Sequence, residues 1–410
     1  NYAKYGRNGE FIKKLNPVMQ DKVMALLDYA KAEGINGVMI TSGYRSHQDQ
    51  INLAIKYKNV KGRVAKPGTS DSKIAGGTVN VNSGSELTFD NGTSNNAVVK
   101  SDANTSNKLT VGGDTTTTEL TLNSGSDINA GTDVIITSKG TLNSVGTQIK
   151  GDSTKGITND GIFNLTNEGD TAGTIARAIN NAAGDGTTGT VNLTGITEST
   201  ANGTIDQANV KVGDGSGTAG SDTSVFTMGA NVTANTKLTV AQDGKIVNAA
   251  NNIVAEAIDV ATGGSIVGNG TTEGNLTLRN GGSNAGTITQ NNVTLTAGTL
   301  DNTGTLTANG TFTNHATITD STGNGTLHIN GGGSSDKAIT QKDATVTGAT
   351  AFNNNADLTA TNSLNNSGTI NNTSNITVKS TSNNASLINT GIINSTANST
   401  ITADTLTNTG

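Results

Sequence analysis

Short runs in which apolar and polar residues alternate recur along most of the chain. In Val293-Thr294-Leu295-Thr296 and Ile376-Thr377-Val378 every second side chain is apolar, which is the period of a β-strand with one buried face. Asparagine, threonine and glycine separate these runs, and Asn-Gly and Thr-Gly pairs favour turns. The pattern therefore predicts many short strands joined by turns from about residue 74 to residue 410.

The turns between these strands share a motif. Asn302-Thr303-Gly304 recurs, with small changes, as Asn366-Ser367-Gly368, Asn389-Thr390-Gly391 and Asn408-Thr409-Gly410. The glycines follow one another at a loose period near 20 residues, which is typical of a repeat architecture. A repeat of two or three short strands cannot bury its own apolar side, so it must stack on its neighbours.

This period predicts a mainly β protein, and we expect a right-handed parallel β-helix, that is, a β-solenoid. Stacking at about 4.8 Å per turn gives roughly 16 turns and a rod on the order of 80 Å long. We expect the recurring asparagines to form hydrogen-bonded ladders along it, as stacked identical side chains do elsewhere. Glycine is expected to supply the positive φ of the corners.

The composition fits a narrow core. Aromatic residues are 3% of the chain and tryptophan is absent, so the apolar material is mostly valine, isoleucine, leucine and alanine. Disordered chains are rich in proline and charge and poor in β-branched residues, whereas this one has two prolines and 14% charged residues. It contains no cysteine, which excludes disulfides and thiolate metal sites. The chain contains no apolar run of 18 or more residues, so no transmembrane helix is predicted.

Residues 1–73 differ in kind from the rest. They hold both prolines, all five tyrosines and a net charge of +7 (13 basic, 6 acidic), whereas residues 74–410 carry −13 (13 basic, 26 acidic). Such a change predicts a domain boundary near residue 73. The first segment, 1–73, is expected to be a small α+β fragment of helix–strand–helix order, and 74–410 the solenoid.

The pattern within the first segment places its three elements. Asn16 can cap a helix that begins at Pro17, and Gly34 is placed to end it. A buried strand follows at 38–41, and a second helix opens after Ser46, with Asp49 completing a capping box. The apolar face predicted for the first helix comprises Val23, Leu26, Leu27 and Ala30.

Residues 75–410 resemble the passenger regions of bacterial autotransporter and haemagglutinin-type adhesins in their high content of Asn, Thr and Gly and in their repeat period. The resemblance implies export and display at the bacterial cell surface or outer membrane, or secretion. It also implies that solenoid loops bind a host or cell-surface glycan or protein. On this interpretation the chain is a structural, adhesin-like repeat protein with no catalysis of its own.

Residues 9–70 resemble a second family through Thr41-Ser42-Gly43-Tyr44-Arg45-Ser46, Gln50, and Val64-Ala65-Lys66-Pro67-Gly68-Thr69-Ser70. This family comprises the zinc D-alanyl-D-alanine carboxypeptidases and L-alanyl-D-glutamate endopeptidases, which cut the stem peptides of peptidoglycan. The resemblance implies that Arg45, Ser46 and Gln50 descend from a substrate-binding site. A guanidinium fork such as that of Arg45 suits a peptide carboxylate.

The peptidase resemblance stops before the zinc ligands. The family continues with Ser-x-His-x-x-Gly-x-Ala-x-Asp, but Ser72 stands at the histidine position and Ala75 at the glycine position. The chain has three histidines (His47, His315 and His328), which are scattered. We therefore predict no catalytic residue and no metal or other cofactor, because no activated water forms without the metal; zinc would be required only if the full-length gene encodes a peptidase.

Several alternatives stay open. The first segment can be a fused cap for the open end of the solenoid, it can bind peptidoglycan without cutting it, or its junction near Ser70 can be an error of sequence assembly. A calcium site in the glycine-rich segment 213–222 is disfavoured because it occurs once. Ice binding needs Thr-x-Thr at the same place on successive turns, and the turn lengths are too uneven to favour it. Nucleic acid is not expected, since no aromatic residues interleave the basic ones of the first segment as single-strand binders require.

Overall fold

A computed structural model describes residues 12–13, 15, 17–33, 78–81, 86–89, 98–99, 107–112, 117–122, 127–128, 132–146, 148–149, 156–167, 174–196, 199–201 and 203–410. The chain divides into two units, Asn1–Lys73 and Ile74–Gly410.

The described part of the first unit contains one helix, α1 (Pro17–Ala32). It begins at Pro17, as the sequence predicts. The predicted apolar face is only partly right, because Ala30 is buried whereas Leu26 is 62% exposed. The predicted strand at 38–41 and the second helix lie outside the described residues. No helix in the described part of the chain is long and apolar enough to cross a bilayer.

The second unit is a parallel β-solenoid of about 13 turns between residues 109 and 408, which confirms the predicted fold class. Each turn contributes one strand to each of three faces, and the strands of successive turns pair in parallel. The predicted right-handed coil stays a prediction. The turns are on average slightly longer than 20 residues because some corners carry extra residues, as in loops 181–189 and 213–223.

We name the three faces A, B and C in the order in which the chain visits them. Face A consists of Thr78–Val81, Asn107–Val111, Thr132–Ile136, Ile157–Asn159, Ile179–Asn180, Asn252–Ala255, Asn275–Leu278, Asn292–Leu295, Phe312–Asn314, Gly333–Ser335, Phe352–Asn354, Thr369–Asn372 and Ile392–Ser395. Two long strands, Ile205–Val212 and Val232–Val240, begin on face A and continue onto face B.

Face B consists of Glu86–Phe89, Thr118–Leu122, Gly140–Val145, Ile162–Thr166, Thr190–Thr194, Ile258–Val260, Gly281–Asn284, Thr299–Asn302, Thr317–Thr319, Ile376–Val378 and Ile401–Ala403. Two further long strands, Ile339–Val346 and Leu358–Asn366, begin on face B and continue onto face C. The rest of face C consists of Val98–Val99, Asp127–Ile128, Gln148–Ile149, Thr174–Ile175, Ser199–Ala201, Ser224–Met228, Gly244–Val247, Ser265–Val267, Thr287–Gln290, Thr305–Ala308, Thr326–Ile329, Ser386–Asn389 and Thr405–Asn408.

The core is a single column of mostly aliphatic side chains, with a few phenylalanines, enclosed by the three faces. Alternation along each strand points every second residue inward. Parallel register then stacks the inward residue of one turn on that of the next, so that Leu276 pairs with Val293, which pairs with Phe312. All three side chains are completely buried. Full burial of one such side chain contributes about 1.5–3 kcal/mol, so each turn gains most of its stability from the turns above and below it.

The recurring Asn-x-Gly motif forms corners at which the asparagine points inward. The Asn284 side chain is fully buried; its Oδ1 accepts the backbone N–H of Gly286 at 3.2 Å, and its Nδ2 donates to Asn302 Oδ1 of the next turn at 2.6 Å. The same bond joins Asn366, Asn389 and Asn408, each step at 2.6 Å. The predicted asparagine ladders are therefore confirmed.

Glycine supplies positive φ at many corners, as expected, for example at Gly281 and Gly298, but the glycine of the Asn-x-Gly motif has a different role. Positive φ occurs at other glycines of the described residues, whereas Gly286, Gly304, Gly368, Gly391 and Gly410 have ordinary backbone angles. They are constrained by space instead: a Cβ on Gly304 would lie 2.1 Å from the carbonyl oxygen of Gly286, and one on Gly391 would lie 2.1 Å from that of Gly368. Glycine is required because successive turns approach each other too closely for a side chain.

Candidate functional site

A shallow, open groove lies on the outer surface of face B. Its floor is a column of outward-facing residues, Lys211, Thr239 and Asp259, which pair in register on three successive turns. Its wall is the glycine-rich loop 213–223, from which Asp214 and Gly215 reach the groove, with Gln242 from the corner beneath the loop. The groove has a volume of about 270 Å³.

The wall loop is tethered by two residues of the next turn. The carboxylate of Asp243, which is 2% exposed, accepts the Gly215 N–H at 2.8 Å and the Thr223 hydroxyl at 3.1 Å. Gln242 Nε2 donates to the carbonyl oxygens of Gly215 and Gly217 at 2.9 and 2.5 Å. Because these partners hold the loop from below, the groove has a fixed wall rather than a free one.

The charges of the groove are of both signs. Lys237 forms an ion pair with Asp259 at 2.7 Å, and the Ser283 hydroxyl donates to the same carboxylate at 2.8 Å. Burial raises the pKa of Asp259, but the hydrogen bonds from Lys237 and Ser283 and the charge of Lys237 outweigh it, so the pKa lies below its ordinary value. The Asp259 carboxylate is therefore charged at neutral pH.

Asp214 is likewise held in its charged form. Hydrogen bonds from the side chain and the backbone N–H of Ser216 lower its pKa, and the nearby Lys211 ammonium lowers it further. Lys211 lines the groove and makes no hydrogen bond or ion pair with another described residue, so its ammonium donors are available to a ligand. The groove thus offers a cation, a hydroxyl and two carboxylates to a polar ligand.

Removal of the Asp243 tether should free the wall loop. We expect Asp243→Ala to raise hydrogen exchange across residues 213–223 by at least about tenfold, since the buried hydrogen bonds it breaks contribute on the order of 1.5–3 kcal/mol. Hydrogen-exchange mass spectrometry measures this directly. Asp320→Ala is the matched control, because the Asp320 carboxylate tethers a different loop through Gly323 and Gly325. Equal exchange of 213–223 in the wild type and in Asp243→Ala would contradict the assignment.

The residues predicted from the peptidase resemblance cannot be compared with this groove. Arg45, Ser46 and Gln50 lie outside the described residues, as does His47, and their role stays a prediction. Among the described residues no three histidine, aspartate or glutamate side chains are grouped closely enough to hold a metal ion. In segment 213–222, Asp214 caps a turn at Ser216 and Asp222 pairs with Lys245 at 2.9 Å.

The other two histidines lie on the solenoid surface, as expected, but one of them has a partner. His315 Nδ1 is 2.7 Å from Asp336 Oδ2, at a corner where both side chains are about half exposed. His328 lies on the outer side of face C, where it pairs in register with Thr307 and Thr345. His315 thus lies at a corner and His328 on face C, and the two form no common site.

The groove was not found from the sequence. Lys211, Thr239 and Asp259 occupy outward positions of three strands, which alternation identifies, but they are 28 and 20 residues apart. Unequal turn lengths hide which outward positions share a column. The one signal present was the glycine-rich segment 213–222, which marks a loop large enough to form a wall.

Comparison of the chain with known proteins identifies no family to which it belongs. No protein-family model, no curated protein and no solved structure matches this chain significantly. The resemblance of residues 9–70 to zinc peptidases therefore has no support beyond its motifs, while the adhesin-like interpretation of residues 75–410 is supported at the level of the solenoid fold alone.

Proposed function

We propose that the protein is an extracellular structural repeat protein of the adhesin type, displayed at a bacterial cell surface or secreted, with no catalysis of its own. The observation that carries the proposal is the groove on face B, where charged, hydroxyl and apolar side chains lie beside a tethered loop of the solenoid. Solenoids present extended binding surfaces because each turn adds a strip of exposed side chains. A glycan or protein at a cell surface is the partner class proposed for this groove.

The chemistry of the groove favours a hydroxyl-rich ligand that bears a carboxylate, such as an acidic oligosaccharide. The Lys211 ammonium would pair with the carboxylate, while the Thr239 hydroxyl and the Asp214 carboxylate would bind sugar hydroxyls. Charge-assisted hydrogen bonds of this kind are roughly twice as strong as neutral ones. The pKa of both lining carboxylates, Asp214 and Asp259, lies below its ordinary value, so neither is protonated at neutral pH to act as a general acid.

Binding can be tested with the purified 410-residue chain on an array of acidic and neutral oligosaccharides. We expect binding to acidic members, weakened at least about tenfold in Lys211→Gln, because an ion-paired hydrogen bond contributes on the order of 1.5–3 kcal/mol. Lys337→Gln is the control, since it removes an exposed lysine outside the groove. Absence of binding to every array member, or equal binding by Lys211→Gln and the wild type, would contradict this assignment.

Surface display needs a separate measurement. In the organism that makes the protein, an antibody against the solenoid should label intact cells or recover the protein from the medium. An antibody signal that appears only after cell lysis would overturn the proposed location while leaving the groove assignment standing.

A further inference from the structure

The loop that joins the face C strand Ser265–Val267 to the face A strand Asn275–Leu278 contains the triplet Asn269-Gly270-Thr271. Asn269 and Thr271 are both exposed, and Gly270 has a φ of 91°. This positive φ folds the chain back, so that Asn269 Oδ1 accepts the Thr271 N–H at 3.0 Å and the Thr271 hydroxyl at 2.8 Å.

This geometry is suited to covalent modification of the amide. Asn-x-Ser/Thr is the acceptor triplet for N-glycosylation, a modification of surface loops. The amide nitrogen becomes a nucleophile as negative charge builds on Oδ1. Donors already aimed at that oxygen stabilise the charge without reorganisation. In the loop, the Thr271 hydroxyl and N–H and the Thr272 N–H, at 2.9 Å, supply them.

Two other triplets of the same kind, which begin at Asn275 and Asn292, lie in strands where the amide nitrogen is engaged. Asn275 Nδ2 donates to Asn252 Oδ1 at 2.9 Å, and Asn292 Nδ2 donates to Asn275 Oδ1 at 2.8 Å. Both belong to an asparagine ladder on the outer side of face A. Asn269 Nδ2 makes no hydrogen bond to another described residue and faces solvent. Folding therefore distinguishes acceptors that the sequence alone presents as equivalent.

We propose that Asn269 is an N-glycosylation acceptor. The reaction joins Asn269 Nδ2 to C1 of a sugar supplied as an activated sugar phosphate. The bond from C1 to the phosphate oxygen breaks, the phosphate departs with the bonding electrons, and the amide proton passes to a base of the glycosyltransferase. The inference does not depend on the function proposed above, since it concerns a loop outside the face B groove.

The test uses the folded chain, a nucleotide-linked hexose and a glycosyltransferase that accepts Asn-x-Ser/Thr, followed by peptide mass spectrometry. We expect one hexose at Asn269 and at least tenfold less at Asn275 and Asn292. Thr271→Val should abolish the addition at Asn269, whereas Thr271→Ser, which keeps the hydroxyl, should retain it. Circular dichroism checks that both variants keep the solenoid.

Heat-unfolded protein provides the second arm. There the ladder is broken, so Asn292 should become an acceptor comparable with Asn269. The proposal is overturned if Asn269 stays unmodified in the folded chain while the unfolded chain accepts hexose there. It is also overturned if folded Thr271→Val is modified as readily as the wild type, or if folded Asn292 is modified as readily as Asn269.

Discussion

Gly333→Val should destabilise the solenoid by about 3–5 kcal/mol, because it combines overpacking with backbone strain. Gly333 occupies an inward position between Phe312 and Phe352 of the neighbouring turns. The two rings reach toward each other across it, with centroids 6.3 Å apart and planes tilted by 48°. A valine would have to fit between these two turns, and its Cβ would meet the backbone of Phe312 rather than open space.

The backbone adds a second penalty at this position. Gly333 has a φ of 131°, which side chains rarely adopt, and a Cβ there would lie 1.9 Å from the Phe312 carbonyl oxygen. That oxygen is part of the parallel pairing between turns, so it cannot move without breaking the pairing. The expected result is local unfolding of the turns around Gly333, together with a lower melting temperature.

Gly323→Val is the matched control for strain without overpacking. Gly323 also has a positive φ, of 70°, but no atom lies within 4 Å of the position its Cβ would take. We expect a loss of about 1–2 kcal/mol there. Thermal unfolding followed by circular dichroism compares the two variants, and hydrogen exchange shows which turns open. If both variants lose the same stability, the close approach of the Phe312 turn does not determine the need for glycine at position 333.

The fold class could be predicted from the sequence because the same strand and corner patterns recur in every turn of the solenoid. Alternation identifies strands such as 376–378, and the Asn-x-Gly corners set the period. The ladders follow from stacking identical turns. The role of the corner glycines could not be predicted in the same way, since close approach of Gly304 to Gly286 depends on the distance between turns, which no single turn reveals.

The candidate site could not be predicted because it depends on register between turns of unequal length. Alternation shows that Lys211 and Asp259 face outward, but their alignment with Thr239 is fixed by loop 213–223, which takes up the extra residues of its turn. The same effect weakens the objection to regular threonine arrays. Thr340, Thr359, Thr377 and Thr402 form one column on face B, although their spacing varies.

Asn302→Leu should cost about 2–3 kcal/mol, although leucine branches at the same carbon and is apolar, because it leaves buried polar partners unpaired. Asn302 is completely buried. Its Oδ1 accepts from Asn284 Nδ2 at 2.6 Å, and its Nδ2 donates to Gln341 Oε1 at 2.5 Å and to the Thr326 carbonyl at 3.2 Å. The substitution removes all three bonds at once.

Asn371→Leu is the matched control on the outer ladder of face A. Asn371 also donates to one asparagine and accepts from another, at 2.9 Å from Asn353 and 3.0 Å from Asn394. Those partners are exposed, so water replaces the lost bonds, and we expect a change of no more than about 0.5–1 kcal/mol. The two variants thus remove similar hydrogen bonds and differ in burial.

The pair Asn284 and Asn302 allows the ladder itself to be measured. If the ladder acts as a unit, the double variant Asn284→Leu, Asn302→Leu should lose less stability than the sum of the single variants, by about 0.5–3 kcal/mol. Urea unfolding of the four proteins gives this coupling energy. Additive losses would mean that each asparagine acts through its own backbone contacts, such as the 3.0 Å bond from Asn284 to the Thr305 carbonyl. Coupled losses would show that side-chain bonds between turns hold the core together, so that a single buried substitution weakens its neighbours as well.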